Sequence, residues 1–121
     1  MKFIVFGSIL ILLAGQAGLD AHAFLQGAEP AVGSTLQTSP NEIRIRFTEN
    51  IEPAVSSIQV FDASGKEVDK RDLNLDRSDH ALLHVSLPRL GVGIYKVVWR
   101  VVSVDTHVTT ETSRSGSFVR H

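Results

Sequence analysis

The chain has 121 residues, no cysteine, and 12 basic against 13 acidic side chains, for a formal net charge of −1. That length suits one domain with a core of its own, and the missing thiols remove disulfides, thiolate metal sites and thiol nucleophiles. A charge near zero and few aromatics (one Trp, one Tyr and six Phe) argue against a nucleic-acid binder, which gathers Lys and Arg against phosphates and rings against bases. Chemistry is left to His, Asp, Glu, Ser and Thr.

Lys2, the apolar run Phe3 to Leu13 and the small residues Ala14, Gly15, Ala17, Gly18, Ala21 and Ala23 read as a secretory signal peptide. The run is well short of the roughly 20 residues a transmembrane helix needs. The mature protein is expected to be soluble and to work outside the cytoplasm. Two cleavage points fit. A cut after Ala23 satisfies the small-x-small rule and discards His22. A cut after Ala21 divides the chain into a signal peptide, 1–21, and a domain, 22–121, that begins with His22. Pattern alone favours Ala23 narrowly; the site chemistry below favours Ala21.

Pro30, Gly33 and Ser39-Pro40-Asn41 punctuate the start of the domain. From Glu42 to Thr48 the residues alternate strictly, with Ile43, Ile45 and Phe47 on one face and Arg44 and Arg46 on the other: a half-buried strand with a solvated cationic side. Ser57 to Asp62 is a second strand, Ile58 and Val60 inward, closed by a turn at Ala63-Ser64-Gly65-Lys66. Lys66 to Asp79 is polar and Asp-rich, a short strand and loop. Ala81 to Leu87 alternates again, with Leu83, Val85 and Leu87 on one face, and Gly91 and Gly93 mark the next turn. Ile94 to Val104 is the longest strand, and Gly116 to Arg120 a short closing one. Strands at roughly ten-residue spacing without helical periodicity indicate an antiparallel sandwich or barrel.

Parity along the longest strand places Tyr95, Val97, Trp99, Val101, Ser103, Asp105 and His107 on one face, which starts as core and ends in a polar rim. Asp105 and His107, at i and i+2, can point at one ion. If His22 is the mature N-terminus, it adds a free α-amine and an imidazole Nδ1 on a single residue. Three nitrogens and an oxygen form the tetragonal set that Cu(II) favours. No such geometry joins His80 and His84, about 13 Å apart on a strand. His121 is terminal. No Gly-x-Ser-x-Gly surrounds any Ser, and Asp62, Asp69, Asp72, Asp76 and Asp79 lack EF-hand spacing.

The start His22-Ala-Phe-Leu with Pro30 and Gly33-Ser34, the stretch Ile45-Arg-Phe-Thr-Glu49, and the block from Gly93 to His107 with Tyr-x-Val-x-Trp leading into Ser-x-Asp-Thr-His together resemble the CopC/PcoC family of copper-resistance proteins. The resemblance covers nearly the whole mature chain. It implies an all-β, immunoglobulin-like Greek-key sandwich of about seven antiparallel strands, located in the periplasm. It further implies one Cu(II) per chain held by His22, Asp105 and His107, with Glu49 near the metal. By the same resemblance the protein buffers copper or delivers it to a membrane copper transporter of the CopD type. It is not an enzyme on this reading, and the mature chain is expected to be a monomer. The Met-rich Cu(I) loop of some members is absent, since Met1 is the only methionine. Residues Val108 to Ser115 intervene where the family usually reaches its closing strand. Two other readings remain open: a small copper monooxygenase-like enzyme with the same N-terminal histidine brace, and a metal-free interaction module.

Overall fold

The computed structural model describes residues 24–104 and 109–121, with side chains described to residue 104 and again from 113. Eight strands make up the described fold: β1 (Leu25–Glu29), β2 (Thr35–Leu36), β3 (Glu42–Phe47), β4 (Ser57–Phe61), β5 (Asn74–Asp76), β6 (Asp79–Ser86), β7 (Gly93–Val104) and β8 (Thr109–Arg120). A short 3-10 turn, Pro53–Val55, precedes β4. The strands form two four-stranded sheets, ordered β1-β3-β6-β5 and β2-β8-β7-β4. All pairings are antiparallel except that of the two-residue β2 with β8, which is parallel. The chain is thus the all-β sandwich expected from its alternating strands, with one short parallel pairing at an edge.

The core lies between the sheets because the two periodicities agree. Ile43, Ile45 and Phe47 of β3 and Leu83 and Val85 of β6 face Ile58 and Val60 of β4 and Tyr95, Val97, Trp99 and Val101 of β7, all buried. Each such side chain removed from water contributes about 1.5–3 kcal/mol. Phe47 meets Trp99 edge-on at 6.5 Å between ring centroids, and Tyr95 stacks on Phe118 at 5.6 Å. Leu82 breaks the alternation. It lies on the outer face, yet is buried in a shallow pocket walled by Arg44 and Arg46, whose aliphatic stems cover apolar surface while the charged heads stay wet.

The closing strand differs from expectation. It runs over all of Thr109–Arg120 and pairs residue for residue with β7, from Gly93↔Arg120 to Val104↔Thr109. Thr109 to Ser115 therefore continues the closing strand along β7. Its composition hid it: Ser, Thr and Arg carry the pairing through backbone groups, and the apolar anchor, Phe118, comes near the end. Gly116 has a packing reason. A Cβ there would come within 3.2 Å of Val32 and 3.6 Å of the Trp99 indole.

The outer edge of β4 is covered locally. Val68 N–H donates to the Val60 carbonyl at 2.8 Å, and Asp69 Oδ1 accepts the Val60 N–H at 2.8 Å. A buried carboxylate thus replaces a missing strand. The turn before it is held by Asp62 Oδ1, which accepts the N–H groups of Ser64 and Lys66 at 2.9 and 3.0 Å. Gly65 takes φ +88° there, a region that side chains with a Cβ rarely enter.

Candidate metal centre

The expected ligands His22, Asp105 and His107 lie outside the described residues; the structure describes the frame that borders them. On one side, Phe24 N–H donates to Thr48 Oγ1 and Thr48 N–H donates to the Phe24 carbonyl, both at 3.0 Å. This double tie fixes the entrance to β1 against the residue that follows β3. From Thr48 the chain crosses between the sheets. Ile51 N–H donates to the His80 carbonyl at 3.0 Å, and Ile51 forms an antiparallel bridge with Ser103. Val104 N–H donates to the Asn50 carbonyl at 2.9 Å, and Glu52 N–H to the Val102 carbonyl at 2.8 Å. Ser56 Oγ fastens the far end of the crossover, accepting the Val102 N–H and donating to the Glu52 carbonyl.

These ties draw three chain positions to one end of the sandwich: Phe24, two residues after His22; Glu49, in the crossover itself; and Val104, directly before Asp105. Glu49 is exposed. The parity expected along β7 holds through its described length: Tyr95, Val97, Trp99, Val101 and Ser103 are buried while Ile94, Lys96, Arg100 and Val104 are exposed. Ser103 is 1% exposed, so the core face ends in a buried hydroxyl residue immediately before the rim. The hydroxyl of Thr48 and the carbonyl of Asn50, which tie the frame together, escaped the sequence reading. The Phe-Thr-Glu stretch was the signal, but its role depends on contacts 24 and 54 positions away in the chain.

The remaining histidines separate clearly. His84 Nε2 lies 3.1 Å from Asp76 Oδ1, and its Nδ1 lies 3.4 Å from Glu42 Oε1. Both ring nitrogens face carboxylates on opposite sides, so this imidazole pins β3, β6 and β5 together. His80 is exposed at the start of β6. Among the described residues no group of three or more His, Asp or Glu side chains is arranged to hold a metal.

The aspartates are structural. Hydrogen bonds from Ser86 hold the Asp72 carboxyl below its ordinary range, and those from Ser78, with a smaller share from His84, do so for Asp76. Burial pushes the Asp69 carboxyl up, against the lowering effect of the Val60 N–H, and neighbouring Glu67 adds to the rise.

The CopC domain family model matches residues 25–114. Over 88 residues the chain is 30% identical to the copper transport protein CutJ of Bacillus subtilis (strain 168), covering 72% of this chain and 16% of that protein. The chain thus spans about a sixth of that relative's length. It is 31% identical over 90 residues to the protein YobA of Escherichia coli (strain K12), covering 74% of this chain and 73% of that one. Among solved structures, CopC from Methylosinus trichosporium OB3b superposes with a TM-score of 0.75 at 31% identity, over 82% of this chain and 93% of that one. The methionine-rich copper resistance protein PcoC of Escherichia coli shares the fold at a TM-score of 0.72 and 24% identity, over 84% of this chain and all of that one.

Proposed function

Since the chain belongs to the CopC domain family, we propose that it is an exported copper carrier that holds one Cu(II) at the end of the sandwich where β1 begins and β7 ends. Cleavage after Ala21 makes His22 the first residue. Its α-amine and imidazole, the His107 imidazole and the Asp105 carboxylate supply the ligands, a hard-to-intermediate set suited to tetragonal Cu(II). Glu49, exposed in the crossover, adds negative charge beside the ion. The compartment is the periplasm, and the copper passes to a membrane transporter. The protein carries the ion without turning over a substrate.

One observation carries the reading. The paired hydrogen bonds between Phe24 and Thr48 and the bond from Val104 to Asn50 anchor, within three residues of one crossover, the two chain positions from which His22 and Asp105 extend. Segments far apart in sequence are thereby anchored to a shared rim, as a site assembled from an N-terminus and a β7–β8 connection requires. The absence of cysteine and of any methionine beyond Met1 leaves no soft donor in the mature chain, which favours Cu(II) over Cu(I). Electron paramagnetic resonance of the processed, copper-loaded protein tests the ligand set. His22→Ala and His107→Ala should each remove nitrogen couplings and weaken binding severely. Asp105→Asn should weaken it less, because an amide oxygen still coordinates. Nitrogen couplings unchanged in His107→Ala would overturn the assignment.

A further inference from the structure

His80 and His84 are alike in sequence, four apart on the same strand, but the structure gives them different surroundings. His84 is locked between Asp76 and Glu42 at the centre of its sheet. His80 is exposed at the start of β6, and its ring has no hydrogen-bond partner among the described residues. Its carbonyl accepts the Ile51 N–H, and Ile51 in turn bridges Ser103. His80, Ile51 and Ser103 therefore form a backbone row across the end of the sandwich, about 10 Å wide at the usual strand spacing. Glu49, also exposed, lies two residues before Ile51 in the same crossover. The acid next to His80 does not compete for the ring: Asp79 pairs with Arg46 and accepts the Ala81 N–H.

We propose that His80 is a capture ligand for Cu(II), an imidazole on the outer rim that takes the ion first, assisted by the Glu49 carboxylate, and passes it inward. The inference rests on the reading that copper binds at this end of the sandwich. Two donors, one imidazole and one carboxylate, suit the task because they are of the class that binds Cu(II) yet too few to retain it. The imidazole lone pair replaces one water of the hydrated ion, and the exchange is reversed as the multidentate site takes over. A chelating site that must shed several waters and protons loads faster when the ion is already held at its edge. A ring without a hydrogen-bond partner among the described residues, beside an Asp79 carboxylate already engaged with Arg46 and the Ala81 N–H, is what separates His80 from the structurally locked His84.

The test uses the processed chain with its native N-terminus and copper supplied as its glycine complex. Trp99, the single tryptophan, reports loading through quenching in a stopped-flow instrument. His80→Gln should slow association by roughly threefold or more, while equilibrium affinity for the first copper stays within about twofold. His121→Gln, the loss of a terminal imidazole, should leave the rate unchanged. Association as fast in His80→Gln as in the parent overturns the capture role. So does a loss of affinity without a change in association, which would make His80 an ordinary member of the final ligand set. A parent chain that binds no copper would instead overturn the function proposed above, and this inference with it.

Discussion

Removing the Thr48 hydroxyl should loosen copper more than it loosens the fold. Thr48→Val keeps the β-branched shape that suits an extended backbone and keeps the bond from the residue-48 N–H to the Phe24 carbonyl. It deletes only the acceptor of the Phe24 N–H, 3.0 Å away. A neutral hydrogen bond of this kind contributes about 0.5–1.5 kcal/mol. The bond restrains the residues leading to His22, so its loss falls on the ordering of the N-terminus and raises the entropic cost of bringing the amine to the ion. Converted at 1.4 kcal/mol per decade, copper affinity should drop by about two- to tenfold. The tie lies at the exposed end of β1, outside the core, so Tm should fall by no more than about 4 °C. Affinity is measured by competition against a Cu(II) chelator, and stability by thermal unfolding of the copper-free protein. A double-mutant cycle sharpens the result: in a His22→Ala background, where the amine remains but the imidazole half of the chelate is gone, the same substitution should cost less than it does in the parent. An unchanged affinity in Thr48→Val, or an equal loss with and without His22, would refute the argument.

Asp69→Ala should strand the buried Val60 N–H that the carboxylate now satisfies, costing about 1–3 kcal/mol, read as a lower urea midpoint with copper binding intact in the folded fraction. Acid stability should follow Asp72 and Asp76, whose folded pKa values lie below the unfolded value. Their stabilisation is present above about pH 4 and is lost as the pH falls through the lowered folded values. Asp69, with its folded pKa raised, acts in the opposite direction, and Asp72→Asn should flatten the acid limb of a Tm-against-pH curve. Copper affinity should fall from pH 8 to pH 5, because an α-amine of pKa about 7.7–8.0 and imidazoles near 6.5 must lose protons to bind; a flat profile would contradict an amine–imidazole site. Reduction should weaken binding, and competition with a Cu(I)-specific chelator should strip the metal far more easily than the Cu(II) equivalent does.

Where one face of a strand is core, the sequence is readable. Glu42 to Phe47 and Ile94 to Val104 alternate so regularly that their buried faces could be named residue by residue, and the structure buries those same side chains. Thr109 to Ser117 was not readable for the complementary reason. Its side chains carry little apolar signal, and its conformation is imposed by the hydrogen-bonding edge of β7. The histidines teach the same lesson. Equal spacing on a strand says nothing of Glu42, 42 positions away, which with Asp76 occupies both nitrogens of His84. The candidate ligands were legible as residue types in a distinctive order. The frame that anchors their neighbours was not, because it consists of backbone bonds, helped by the Thr48 and Ser56 hydroxyls, between the start of β1, the crossover after β3 and the end of β7.

If the mature N-terminus is itself a copper ligand, native mass spectrometry of protein exported through its own secretion route will show it. The exported chain should begin at His22 and carry one copper, and should lose it when a single alanine is inserted between the cleavage site and His22. A chain beginning at Phe24 that still carries one copper would contradict that role.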